Sequence, residues 1–279
     1  MKLQEKLKQV QSEKRALLAT NFYNLETCKG ILVAAKEMRQ PVILQLTKSS
    51  IDYMGLKTAV QIARTLSEQF GVESWVHLDH CEDIDLIKKS LEAGFDSVMI
   101  DASDNTFDEN IRITREVVAL AKMYGADVEA ELGCVPKLGR ELDTGAFTDP
   151  GEAKEFVEKT GVNALAVAIG SKHGFYKGEP KLDLERLKMI SQATDVCLVL
   201  HGGSGLPAAS LKRAIELGIT KVNVATETKD TFTRTIKQVL ARSSEIDLRK
   251  TFPKAIDAVK ELIIEKLRII SLVTETRSK

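Results

Sequence analysis

Short, nearly continuous apolar runs alternate along the chain with longer amphipathic segments, and the alternation repeats eight times. ALLATNF (16–22) precedes a helical stretch near 26–38, and PVILQL (41–46) precedes one near 56–70. SWVHLDH (74–80) leads into 83–93, and SVMIDA (97–102) leads into 108–124. DVEAELG (127–133) is followed, after a loop, by a helix near 150–160. ALAVAIG (164–170), CLVLHG (197–202) and KVNVAT (221–226) lead into 183–193, 208–217 and 227–241. Runs that stay apolar at successive positions suit parallel strands covered on both faces. Gly71, Gly94, Gly125, Gly161 and Gly218 close the helical segments, where each suits a left-handed C-cap.

Eight strand–helix units in one chain predict an α/β fold, a TIM (β/α)8 barrel. A doubly wound open sheet is the structural alternative. The stretch 252–270 reads as a C-terminal helix appended to the barrel, and no linker interrupts the pattern. Residues 1–279 are therefore expected to form a single barrel domain.

Charge narrows the partners. Forty Lys and Arg balance forty Asp and Glu, so no basic surface announces nucleic acid. No apolar run approaches the ~20 residues that span a bilayer, and MKLQEKLKQVQSEKRALL lacks the apolar core of a signal peptide. A cytoplasmic protein is expected, without a membrane or nucleic-acid partner. Cys28, Cys81, Cys134 and Cys197 are scattered without a paired spacing, which suits free thiols in a reducing compartment.

In a TIM barrel the chemistry sits where strands end, and the rare residues fall there. Of four histidines, His80, His173 and His201 lie at the ends of the third, sixth and seventh predicted strands. Three imidazoles on one rim suit a zinc site that keeps a position open for substrate. His77 lies deeper in its strand and reads as structural. Asp79, Asp101, Glu129 and Glu131 also end strands. Asp79 directly precedes His80 and suits general acid–base work, with an imidazole-orienting role as the alternative. Asp101 and Glu131 are left open between supporting the ligands and forming an alternative or second metal position. After the last two strands, HGGSG (201–205) and NVAT (223–226) offer glycine amides, hydroxyls and a side-chain amide. That is the place where this fold commonly binds phosphate. Asn21 and Thr47, at the ends of the first two strands, join the substrate-facing set.

A metal, a carboxylate and a phosphate site on one rim point to carbon–carbon chemistry on a phosphorylated ketose. The chain resembles the class II (zinc-dependent) fructose- and tagatose-bisphosphate aldolases over nearly its whole length. HLDH (77–80), GFDSVMID (94–101), VEAELG (128–133), residues 148–176, LVLHGGSGLP (198–207) and KVNVAT (221–226) carry the resemblance. It implies that His80, His173 and His201 bind Zn2+ and that Asp79 is the proton carrier. It also implies that Gly174, Gly202, Gly203, Ser204 and the segment Asn223, Val224, Ala225 and Thr226 grip a dihydroxyacetone-phosphate end. A monovalent cation, Na+ or K+, often assists there, and members are usually homodimers or homotetramers.

The departures from the family pattern fall at the far end of the substrate. Relatives carry Gly-Gly-x-Glu-Asp in the loop after the fifth strand. Here that loop reads CVPKLGRELDTGAF (134–147), with Glu141 as the stand-in for the family's proton-transfer glutamate. Relatives often read Ser-x-Gly after the second strand, where this chain has Thr47-Lys48-Ser49. Lys48 and Arg140 add positive charge that suits a second anionic group, with a solvated loop lysine as the alternative reading of Lys48. The expected activity is reversible cleavage of a fructose- or tagatose-1,6-bisphosphate type of ketose. The alternatives are a ketose 1-phosphate with another anionic or deoxy far end, a Schiff-base mechanism through Lys172, and a sugar-phosphate-binding subunit that has lost catalysis.

Overall fold

The computed structural model describes residues 1–136, 147–176 and 178–271. Its strands are β1 (Leu17–Asn21), β2 (Val42–Leu46), β3 (Ser74–Cys81), β4 (Ser97–Ile100), β5 (Asp127–Leu132), β6 (Ala164–Val167), β7 (Cys197–Leu200) and β8 (Ile219–Val224). All pair in parallel, in chain order. Ala19 of β1 is partnered by Ile43 of β2 on one side and Asn223 of β8 on the other, which closes the ring. The barrel expectation holds, and the doubly wound sheet is excluded.

Helices α1 (Leu3–Ser12), α2 (Leu25–Met38), α3 (Lys48–Met54), α4 (Leu56–Phe70), α5 (Ile84–Glu92) and α6 (Phe107–Tyr124) belong to the first half of the chain. The second half holds α7 (Pro150–Thr160), α8 (Leu184–Ala193), α9 (Ala208–Glu216), α10 (Thr226–Ala241), α11 (Leu248–Thr251) and α12 (Pro253–Ile270). Among the described residues, no helix is long and apolar enough to cross a membrane. Gly71, Gly125 and Gly161 are left-handed C-caps, with φ of 65°, 67° and 67°. Gly94 and Gly218 stand one residue later, after the caps Ala93 and Leu217.

Successive strand residues face opposite sides. Leu18, Leu44, Val76, Leu78 and Val98 point outward into the layer between sheet and helices. Leu17, Ala19, Ile43, Trp75, Ala164, Ala166, Cys197 and Val199 fill the lower lumen together with Leu3, Leu7 and Val10 of α1. This helix was not foreseen. Its apolar positions recur at helical spacing, but the surrounding charges dilute the signal, and only the open end of a barrel gives them a place to go.

One further feature differs from the reading of the sequence. The short helix α3 follows β2, capped by Thr47, whose hydroxyl accepts from the Ser50 amide. The C-terminal helix is present as α12, and it packs on α2 where Gly30 leaves room. A Cβ at Gly30 would lie 2.9 Å from the Ile256 carbonyl oxygen and 2.9 Å from Val259 Cγ1. Lys266 on α12 is buried and forms an ion pair with Glu227 in the first turn of α10, at 2.9 Å.

Candidate active site

Polar residues take over the upper lumen, where the strands end. Alternation carries His77 and Asp79 inward on β3, and it would turn His80 outward. His80 instead adopts a left-handed φ of 46° at an irregularity in the β3–β4 register. Such a backbone is costly for a residue other than glycine, and it marks functional positions more often than accidental ones. Its effect here is direct: the His80 ring turns back over the lumen. His80 Nε2 lies 2.8 Å from His201 Nδ1, and the His80 and His173 ring centroids are 4.8 Å apart. The His173 and His201 centroids are 5.9 Å apart. The three histidines expected to share a rim therefore converge, with one ligand atom from each within 4.8 Å of the others. Asp101 and Glu131 form a second such group with His80.

Hydrogen bonds on the far sides of the rings fix their tautomers. His80 Nδ1 donates to Asp101 Oδ2 at 2.9 Å, and His201 Nε2 donates to Glu129 Oε1 at 2.8 Å. With both N–H groups directed at carboxylates, the nitrogens that face each other present lone pairs across 2.8 Å. That arrangement calls for positive charge between them, a proton or a metal ion. Burial pushes His80 down, but the hydrogen bond to Asp101 and the charges of Asp79 and Glu131 outweigh it and carry the ring up to about 9. Burial and the neighbouring His80 and His201 hold His173 well below the ordinary range, as a neutral ring. His173 Nε2 and Glu131 Oε2 are buried without a hydrogen-bond partner. Imidazole nitrogens with opposed lone pairs and a buried carboxylate oxygen free of hydrogen bonds are the donor set of a divalent metal. The residues fit the expected ion.

Asp79 is cradled by amides. Asn21 Nδ2 donates to Oδ2 at 2.9 Å, and Gln45 Nε2 donates to Oδ1 at 3.2 Å. Asn223 Nδ2 approaches the same Oδ1 at 3.4 Å. Burial alone would raise the Asp79 carboxyl, but His80, His201, Lys221 and the Asn21 amide hold it below its ordinary value. It is a carboxylate fixed in place and able to accept a proton.

The loops after β6, β7 and β8 interlock beside these groups. Gly202 has φ of 70°, and a Cβ there would overlap the Lys172 carbonyl oxygen. A Cβ at Gly203 would lie 2.7 Å from the Asn223 carbonyl oxygen, to which the Gly203 amide donates. Ser204 is buried, and its hydroxyl accepts from the Glu227 amide at 3.4 Å. Helix α10 begins at Thr226 after Ala225, whose methyl cannot cap it, so Ser204 meets one amide of the first turn from the neighbouring loop. Gly174 is buried with φ of 92°, one residue beyond His173. The Val224 side chain belongs to the outer core and Ala225 has only a methyl, so both offer backbone groups to a ligand. Thr47 lies on the β2 side of the mouth with its hydroxyl engaged as the α3 cap. Lys48 is paired with Asp52 at 2.6 Å on the exposed surface. Glu141 and Arg140 lie outside the described residues. Lys172 places its ammonium 5.5 Å from the centroid of the Tyr176 ring.

Three residues in this site escaped the reading of the sequence. Gln45 completes the cradle of Asp79. Tyr176 ties two loops together, its hydroxyl donating to the Gly202 carbonyl at 2.9 Å and accepting from the Lys172 amide at 3.1 Å. Lys221, fully buried in β8, forms an ion pair with Glu129 at 2.7 Å. The two-residue period could have found Lys221, because it shares a strand face with Asn223.

A closed parallel barrel with its imidazoles, carboxylates and glycine turns gathered at the strand ends is the frame of a TIM-barrel lyase. A family model described as fructose-bisphosphate aldolase class-II matches residues 1–274. A fructose-bisphosphate aldolase of Geobacillus stearothermophilus is 42% identical over 274 residues, covering 95% of each chain. The D-tagatose-1,6-bisphosphate aldolase subunit GatY of Klebsiella oxytoca is 40% identical over 256 residues, covering 90% of each. The crystal structure of the YdjI aldolase from Escherichia coli K12 superposes with a TM-score of 0.85 at 32% identity, covering 96% of each chain. The chain belongs to the class II fructose-bisphosphate aldolase family, the metal-dependent aldolases of carbohydrate metabolism.

Proposed function

We propose that the protein is a zinc-dependent aldolase. It reversibly cleaves a ketose of the fructose- or tagatose-1,6-bisphosphate type into dihydroxyacetone phosphate and an aldehyde. The observation that carries this reading is the convergence of His80, His173 and His201 beside a fixed, ionised Asp79. The three histidines would hold Zn2+, which when bound supplies a Lewis acid for the ketone oxygen. Asp101 and Glu131, with His80, form the alternative metal position.

The rest of the chemistry belongs to the chain. In the cleavage direction Asp79 accepts the proton of the hydroxyl next to the scissile bond, and the amides of Asn21, Gln45 and Asn223 keep its oxygens on that hydroxyl. The carbon–carbon bond breaks as the aldehyde carbonyl forms. Its electron pair stays with the ketone-bearing fragment, which takes a proton to become dihydroxyacetone phosphate. Glu141 is assigned that second proton transfer. Gly174, Gly202, Gly203, Ser204 and the segment Asn223–Thr226 bind the phosphate through backbone amides and hydroxyls. Na+ or K+ assists beside them. The working form is a cytoplasmic homodimer or homotetramer.

One observation favours a second reading of the far end. The charge of Lys48 is already met by Asp52, which leaves the β2 side of the mouth with little attraction for a second phosphate. A ketose 1-phosphate with a deoxy far end suits that surface, whereas another anionic far end would meet the same lack of free positive charge.

A panel of ketose 1-phosphates and 1,6-bisphosphates, assayed for retro-aldol cleavage with EDTA and after zinc is restored, tests both readings. Cleavage lost to EDTA and recovered with zinc is expected, and the fastest substrate decides the far end. Cleavage indifferent to EDTA would move the mechanism to Lys172, and zinc binding without cleavage would make the chain a binding subunit.

A further inference from the structure

Below the three histidines lies a buried polar chain that the proposed chemistry does not use. The Lys221 ammonium, 0% exposed, donates to Glu129 Oε2 at 2.7 Å and approaches His77 Nε2 at 3.4 Å. Glu129, 2% exposed, spends its other oxygen on His201 Nε2 at 2.8 Å. His77, also 0% exposed, closes the chain through Nδ1 to Ser97 Oγ at 3.0 Å. Four different strands, β3, β4, β5 and β8, supply these groups, directly above the apolar lower lumen. Burying a lysine and a glutamate there costs more than an apolar filling of the same volume.

The hydrogen-bond roles are forced in order. An ammonium only donates, so His77 Nε2 accepts and the His77 proton sits on Nδ1. Lys221 claims Oε2 of Glu129, which leaves Oε1 to accept the His201 Nε2 proton. His201 Nδ1 is then bare, and it is the nitrogen turned toward His80. We infer that Lys221 and Glu129 are positioning residues that set the His201 tautomer and thereby the affinity of the site for its metal.

The inference rests on the reading of His80, His173 and His201 as metal ligands, and it makes demands of its own. The two buried histidines must hold opposite tautomers, the proton on Nε2 at His201 and on Nδ1 at His77. With four histidines in the chain, long-range nitrogen–proton NMR of the full-length, 15N-histidine-labelled protein resolves this directly in the metal-free state. A proton on Nδ1 of His201 would overturn the inference whatever the variants do.

The variants make the second demand. In Glu129→Gln the amide cannot accept on both sides. Lys221 takes its oxygen, and the NH2 group then faces His201 Nε2, driving the His201 proton onto the metal-facing nitrogen. Zinc affinity, measured by competition with a chromogenic chelator, falls by about 10–100-fold, the usual cost of losing such a partner. Adding Lys221→Met to Glu129→Gln releases the amide to turn its oxygen toward His201, and most of the affinity returns. The double variant also removes both buried charges together, which keeps it foldable. Wild-type affinity in Glu129→Gln, or no recovery in the double variant, would sink the inference while leaving the aldolase reading intact. A wild-type chain that binds no zinc would instead strike at the metal reading, and the tautomers of the metal-free protein would still judge the relay.

Discussion

The same eight strands build two unlike interiors. Below, Leu17, Ala19, Ile43, Trp75, Ala166 and Val199 meet Leu3, Leu7 and Val10 of α1 in a plug without a charge. One layer up, Asp79, Glu129, Lys221 and His201 occupy equivalent inward positions, each buried and each tied to a partner on another strand. The lower end is complete in itself. At the upper end His173 Nε2 and Glu131 Oε2 are buried without a hydrogen bond, the latter 3.6 Å from His201 Nδ1. A barrel thus separates holding together from doing chemistry along its own axis, and the two ends should respond differently to substitution.

The sharpest contrast comes from removing one group at each end. Asp79→Ala is expected to keep its zinc and its stability while turnover falls by about 10²–10⁴, the span of one acid–base group. Metal analysis beside the cleavage assay checks it, and wild-type turnover would take Asp79 out of the mechanism. Trp75→Ala, at the lower end, should do the reverse. Loss of a buried Trp costs about 3–5 kcal/mol of stability, read by urea unfolding. Its zinc affinity and kcat below the transition should match wild type, and a large loss of either would show that the two ends are coupled. The smallest effect is expected from Tyr176→Phe, which loosens the upper loops without touching metal or carboxylate. Losing the bonds to Gly202 and Lys172 is worth roughly 1 kcal/mol, or about a fivefold rise in KM, with zinc content unchanged. A fall in kcat alone would place Tyr176 closer to the reaction than the loops it ties.

The lower interior and the upper one were also unequally legible. Strands could be read because their apolar runs are continuous, and His80, His173, His201 and Asp79 because they interrupt those runs at the ends. The cross-lumen pairs, His80 with Asp101 and Lys221 with Glu129, depend on the stagger of the closed sheet, which no local pattern carries. The left-handed backbone of His80 belongs with them: alternation alone would have turned this residue away from the site. Helix α1 was missed for a different reason, since a plug declares itself only once there is an opening to fill.

The contact between Gly30 and α12 bears on how the protein is made. Helix α2 leaves the ribosome early, and the element that covers it is translated after every strand of the barrel. Until α12 is made, the strip of α2 around Gly30 lacks this cover. Completion is therefore a late event in the life of the nascent chain. The bare backbone at Gly30 that admits the Ile256 carbonyl keeps a place open for a helix not yet translated.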